Sequence, residues 1–273
     1  MSVINTNVSA MYSQNAMKTN ARHMSTAMEQ LSTGTRVNSA KDDAAGLAIG
    51  QNMTTQIRGL NMAVRNLNDG INMMQTAEGA MIEQSNMMQR MRELAVQSMN
   101  GTYSSVQRSY LDLEFQALAS QINDVSTDTT WNDQVLLDGS VSTFTFQAGN
   151  ASGDTVSVVI GNMGLSGDLN LDGNDIKDYD AAADSLTAIT SALEKINNQR
   201  AAIGAGINRM EYAADNLTNI SSNATQSRST IMDTDYALAT TMLAKTQIIQ
   251  QAATAMLAQA NQQPQAVMTL LKG

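Results

Sequence analysis

The sequence predicts a mainly α fold: a long antiparallel, coiled-coil-like helical bundle with a small β-hairpin and with its N- and C-terminal helices paired. Three observations predict it. Apolar residues recur in alternating steps of three and four along most of the chain. The 273 residues include one Pro, no Cys and only 4% aromatics, which suits long helices joined by few turns better than an α/β enzyme core. One central stretch leaves this period and alternates residue by residue.

The elements follow in order. Ala10, Met17, Met24 and Leu31 lie seven apart, with Ala21 and Met28 between them. This a/d seam stops at Ser32-Thr33-Gly34, where Gly suits a helix C-terminus. A second pattern joins Met53, Ile57, Leu60, Val64, Leu67, Ile71 and Met74, then continues more loosely through Met81, Met88, Met91 and Ala95. From Asp42 to Asn100 it predicts a helix ~90 Å long at ~1.5 Å per residue. Lys41-Asp42-Asp43 precedes it, with acids at the positive end of the helix dipole. A third helix is marked by Leu111, Phe115, Leu118, Ile122 and Val125. Residues 126–140 read as a loop anchored by Trp131. "STFTFQAG" and "DTVSVVIG", separated by the turn-rich "NASGD", predict a β-hairpin over about 141–162, with Phe144 and Phe146 on one face. It is too small to stand alone and should lie on the bundle. A further helical seam uses Leu186, Ile189, Leu193, Ile196, Ile203, Ile207, Met210 and Leu217, interrupted at Arg200.

The last helix carries a stripe at Leu238, Met242, Ile249, Met256, Val267 and Leu271, with Ala252 and Ala260 in the same line. The simplest arrangement pairs this stripe with that of residues 1–41. The expected division is therefore 1–41 with 232–273 as a discontinuous terminal pair, and 42–231 as a helical bundle with its hairpin. Two helices in contact along one seam bury only part of each. Fixing a backbone costs ~1–2 kcal/mol per residue, while a buried Leu or Met returns ~1.5–3 kcal/mol. The terminal helices should therefore order fully only when neighbouring copies cover their remaining faces.

Charge and chemistry narrow the function. A net charge of −9 and a pI near 4.5 argue against nucleic-acid binding, which needs clustered Lys and Arg. No apolar run approaches the ~20 residues that span a bilayer. "MSVINTNVSAMYSQN" has neither a basic nor an apolar leader region and is not read as a Sec signal, so any export would take another route. A single His23, no Cys, no HExxH and no P-loop leave little for catalysis; no cofactor and no enzyme activity are expected. Asp168, Asn170 and Asp172 in "DLNLDGNDIKDYD" match the opening of a calcium loop, but Tyr179 stands where the bidentate Glu belongs. An Asp/Asn/Gly turn is the simpler account, and no metal site is expected.

Six segments, in order along the chain, resemble those of the bacterial flagellins: "INTNVSAMYSQN", "LSTGTRVNSAKDDAAGLAI", "QRMRELAVQSMNGT", "TTWNDQVLLDGS", "FTFQAG" and "TQIIQQAATAMLAQANQQPQAVMTLL". The resemblance implies a structural subunit of the flagellar filament. Paired termini would form the inner core of a tube, and bundle and hairpin the next layer. The stretch 150–180 is too short for a large outer domain, so a minimal two-layer subunit is expected. The terminal assembly seam would comprise Met17, Met24, Met28 and Leu31 with Leu238, Met242, Ile249, Met256, Leu257, Val267 and Leu271. Implied partners are other copies of the chain, an export chaperone, the filament cap and hook-junction proteins. The implied location is extracellular, reached unfolded through the flagellar type III channel.

The resemblance also implies recognition by an animal Toll-like receptor, through Gln89, Arg90, Arg92, Glu93, Leu94 and Glu114, extended by Gln97 and Asn100-Gly101-Thr102. Arg90 and Leu94 are four apart and so share a helix face. Alternatives are a hook–filament junction protein, disfavoured by the match through "RELAVQSMNGT", and a flagellin-like adhesin or glycan binder, for which an exposed aromatic cluster is lacking.

Overall fold

The computed structural model describes residues 6–272, with side chains described for residues 6–262. The chain order is α1 (Val8–Thr33), α2 (Ala44–Ser98), α3 (Ser105–Asp128), β1 (Thr130–Trp131), β2 (Gln134–Val135), β3 (Thr143–Gln147), β4 (Thr155–Val159), α4 (Tyr179–Met232) and α5 (Tyr236–Lys272). Two compact units result: Arg58–Ser221, and Met1–Ile57 with Ser222–Gly273. The divide falls inside α2 and α4, not at the loops near 41 and 232. The reason lies in the connections. The Arg36 amide donates to the Met232 carbonyl at 2.6 Å, Thr234 donates to the Gly34 carbonyl at 3.0 Å, and the Arg36 guanidinium donates to the Ile231 carbonyl at 2.7 Å. These bonds tie the end of α4 and the turn into α5 to the segment that follows α1.

Helix ends follow local chemistry. Asn7 caps α1 through its side chain, accepting from the Ala10 amide at 3.0 Å. Gly34 ends α1 at φ +74°, a left-handed conformation in which its N–H reaches the Gln30 carbonyl. Asp43 accepts from the Gly46 amide at 2.8 Å and caps α2. Asp42 acts differently from the expected dipole partner: it accepts from the amide and hydroxyl of Ser39, and these bonds hold its carboxyl below the usual range. Ser104 and Gln107 form a reciprocal capping box at the start of α3.

In the bundle unit the α2 seam does not loosen after Met74. Ala77, Met81, Gln84, Met88, Met91, Ala95 and Ser98 continue it in steps of three and four, and all are buried. Hydropathy loses the pattern at Ala77, Gln84 and Ser98, where small or polar residues fill seam positions. Gln84 Nε2 donates to the carbonyls of Ile122 and Met163 at 3.2 and 3.1 Å, tying α2 to α3 and to the segment after β4. Ser98 donates to the Ile176 carbonyl at 2.5 Å. Phe115 and Ile122 of α3, and Ile189, Ile196, Ile203 and Met210 of α4, complete the core.

The hairpin pairs Phe144 with Val158 and Phe146 with Val156 in an antiparallel register. Its side chains fill space that two glycines leave on the helices. A Cβ added at Gly70 would stand 2.8 Å from the Phe146 ring, and one at Gly206 would stand 2.8 Å from Val158. Gln199 Nε2 donates to the Val159 carbonyl at 2.7 Å and fixes the hairpin end to α4.

Residues 126–140 are not a plain loop. Helix α3 runs to Asp128, and a two-residue turn, Asn132-Asp133, joins β1 to β2 with both turn residues at positive φ. Asn and Asp tolerate this conformation, which suits a tight hairpin. The strands are too short to show a period in sequence. The large anchors here are Leu136 and Leu137, fully buried, while Trp131 is only half-buried. Likewise 161–178 is more than a polar turn: Met163, Leu169, Leu171 and Ile176 enter the core.

Candidate functional site

With little catalytic chemistry in the chain, the candidate functional surfaces are faces of helices. The first is the α1–α5 pair. The two helices meet along Ala10, Met17, Asn20, Met24, Ala27 and Leu31 on α1, and Ala239, Leu243, Thr246, Gln250, Ala253, Leu257 and Ala260 on α5, all buried or half-buried. Both sets step by three and four, as a coiled-coil seam does. Small Ala residues allow close approach, and polar bonds set the register. Asn20 Nδ2 donates to the Thr246 carbonyl at 2.7 Å and to Gln250 Oε1 at 3.2 Å. Asn7 Nδ2 donates to the Ala260 carbonyl at 2.8 Å.

The seam expected from sequence is only partly the observed one. Met17, Met24, Leu31 and Leu257 lie in it. Leu238, Met242, Ile249 and Met256 do not: they are exposed, Leu238 at 68% and Met256 at 60%. They form a second stripe on α5, offset from the first by one residue. Met28 is exposed too, and Ala27 takes its expected place. Val267 and Leu271 lie outside the residues whose side chains are described. The physical reason is packing. Ala and Thr let two helices approach closely, which leaves the bulkier stripe pointing away. Val8, Met11 and Tyr12 add to the apolar surface exposed on α1.

The second surface is on the bundle unit. Arg90 Nε donates to Glu114 Oε1 at 2.9 Å, and Nη1 donates to Glu93 Oε2 at 2.9 Å. The Glu114 bond first, then that of Glu93, holds the guanidinium above its usual range. All three side chains are about half-exposed or more. The structure brings Glu114 of α3 beside Arg90 of α2. It does not bring Leu94 to this face. Leu94 is 0% exposed and belongs to the bundle core. A spacing of four leaves two residues ~40° apart about the helix axis, enough for one to point out and the other in at the edge of a buried face. Gln89, Arg92, Glu93, Val96 and Gln97 line a shallow depression there. Gln97 Nε2 donates to the Tyr103 hydroxyl at 3.0 Å. Exposed Val106, Tyr110 and Leu113 form a short apolar stripe on α3. Sequence reasoning missed these three, although their spacing of four and three was visible beside the Phe115 seam.

Asp168, Asn170 and Asp172 are exposed, alternating with buried Leu169 and Leu171. Lys195 donates to the Asp168 carbonyl. Among the described residues no group of three or more His, Cys, Asp or Glu is placed to hold a metal, and no helix is long and apolar enough to cross a membrane. His23 is exposed on α1.

Comparison with known proteins places these surfaces in a family. Residues 4–142 match the model of the bacterial flagellin N-terminal helical region, and residues 186–271 match that of the C-terminal helical region. The flagellin of Halalkalibacterium halodurans is 44% identical over 271 residues, covering 99% of this chain and 100% of the relative. Flagellin B of Vibrio cholerae is 34% identical, with 98% of this chain and 99% of the relative covered. That alignment runs over 371 positions against 273 residues here, so the Vibrio protein carries segments this chain lacks. The crystal structure of Bacillus cereus flagellin aligns with a TM-score of 0.51 at 30% identity, covering 56% of this chain and 88% of that one. Two matched terminal regions and end-to-end identity with a named relative establish that the chain belongs to the bacterial flagellin family.

Proposed function

We propose that the chain is a structural subunit of the bacterial flagellar filament, an extracellular polymer for swimming. It acts by self-association through the terminal helices, without catalysis. The observation that carries this is the second α5 stripe: Leu238, Met242, Ile249 and Met256 are exposed although α5 already has a partner in α1. An exposed stripe this regular is uncommon on a protein that works alone. The terminal pair would form the inner core and the bundle with its hairpin the outer layer. The end-to-end likeness to flagellins favours this over a hook–filament junction protein or a flagellin-like adhesin. The family resemblance adds type III export, an export chaperone, a filament cap and hook-junction proteins as partners. Salt-induced polymerisation of the purified protein, followed by electron microscopy, tests the reading. The full chain should give long uniform filaments, and a chain lacking 232–273 should give a folded bundle and none. Filaments of normal length from the truncated chain overturn the assignment to the terminal helices.

A second reading concerns the bundle surface. The Arg90–Glu93–Glu114 cluster, flanked by exposed Val96, Tyr110 and Leu113, has the anchor chemistry of a binding hot spot. It supports recognition of the monomer by an animal Toll-like receptor, with Arg90 and the α3 stripe in the role first given to Leu94. Arg90→Ala and Leu113→Ala should each weaken receptor signalling by monomer in reporter cells. Wild-type signalling by both variants would sink it.

A further inference from the structure

The chain has 20 Met and no Cys, so its most readily oxidised side chains are thioethers. Their burial runs from fully enclosed, through half-buried residues such as Met17 and Met24, to exposed. Met74, Met81, Met88, Met91 and Met210 are fully enclosed in the bundle core. Met11, Met28, Met242 and Met256 are exposed on α1 and α5, each at 46% or more. Met242 and Met256 stand seven residues either side of Ile249 on the unpaired stripe. Of the five exposed Met among the described residues, four thus lie on the terminal helices, and the fifth, Met62, lies in the bundle unit.

We propose that Met11, Met28, Met242 and Met256 form an oxidation-sensitive switch: their conversion to sulfoxides bars the unassembled subunit from the polymer. The proposal rests on the filament reading given above. The oxidant is a two-electron oxygen donor of the peroxide class. The thioether sulfur attacks one peroxide oxygen, the O–O bond breaks, an S–O bond forms, and the second oxygen leaves as water. Sulfur is oxidised by two electrons and peroxide is reduced by two. The reverse step consumes two thiols, giving water, a disulfide and the thioether. The product is polar and chiral where the reactant was apolar and adaptable. A buried sulfoxide oxygen with no donor opposite it opposes burial of the stripe. The core thioethers are shielded, so assembly is lost before the fold is.

The test oxidises purified monomer with dilute hydrogen peroxide. Peptide mass spectrometry gives sulfoxide occupancy at each Met, sedimentation gives the critical concentration for polymerisation, and circular dichroism gives the bundle melting curve. The four exposed residues should oxidise before the core five, with the melting curve unchanged. The critical concentration should rise about tenfold or more. Methionine sulfoxide reductases should remove the sulfoxides and restore polymerisation. The variant carrying M11L, M28L, M242L and M256L should polymerise equally well before and after peroxide. Met62, exposed at 46% in the bundle unit, stays in that variant as a control. The proposal falls if the oxidised wild type polymerises at the untreated concentration. It also falls if the four-Leu variant is as sensitive as wild type, or if removing the sulfoxides fails to restore assembly. Failure of the untreated wild type to polymerise would instead overturn the filament reading, and this proposal with it.

Discussion

Asn20 of α1 and the backbone of Thr246 of α5 are joined in the buried seam of the terminal pair, the Asn20 amide donating to the Thr246 carbonyl at 2.7 Å. Asn20 and Thr246 are 6% and 5% exposed. A polar residue at a seam position costs stability and selects one register. Asn20→Leu should therefore strengthen the pair while loosening its register. The expected outcome is a subunit that still polymerises but gives filaments of mixed helical form by electron microscopy. Uniform wild-type filaments would show that the register is set elsewhere.

The two α5 stripes can be separated by a pair of neighbouring substitutions. Met256→Asp places a charge on the outward stripe. It should leave hydrogen-exchange protection of α1 unchanged in the monomer and abolish polymerisation. Leu257→Asp places the same charge in the α1 seam and should strip protection from α1 as well. Equal loss of α1 protection in both variants would contradict the assignment of the stripes.

Glycine substitutions should change sign with position. A Cβ at Gly206 would crowd Val158 and one at Gly70 would crowd the Phe146 ring, each at 2.8 Å. Gly206→Ala and Gly70→Ala should each destabilise the bundle by ~1–2 kcal/mol, overpacking outweighing the gain in helix propensity. Val158→Ala should relieve part of the Gly206→Ala cost. Gly79→Ala meets nothing within 4 Å, and should stabilise by about 0.5–1 kcal/mol. Urea melts of the four variants decide the matter.

Arg90 and Leu94 should part company in stability measurements. Arg90 is exposed and its ion pairs are on the surface, so Arg90→Ala should leave the melting temperature nearly unchanged. Leu94→Ala empties a fully buried site, and should cost ~2–5 kcal/mol. Loss of receptor signalling in Leu94→Ala then reports a weakened bundle. A melting temperature unchanged in Leu94→Ala would return Leu94 to the surface.

Much of the fold was legible in the sequence. The three–four period of Leu60, Leu67, Ile71 and Met74 dictates an amphipathic helix wherever it occurs, because only one face of a helix repeats at that spacing. The alternation around Phe144 and Phe146 dictates a strand for the same kind of reason. The segments "LSTGTRVNSAKDDAAGLAI" and "TQIIQQAATAMLAQANQQPQAVMTLL" carried the family likeness. What periodicity cannot settle is which of two adjacent stripes turns inward. On α5 the stripe Leu238–Met242–Ile249–Met256 and the stripe Ala239–Thr246–Ala253–Ala260 share one period and differ by one residue, about 100° around the helix. Hydropathy favours the first as the buried seam. Tertiary structure decided for the second, because small side chains and the Asn20 bond let α1 come close. The same holds for Arg90 and Leu94, one on each side of the edge of a buried face, and for Gly70 and Gly206, whose place was set by hairpin side chains far away in sequence.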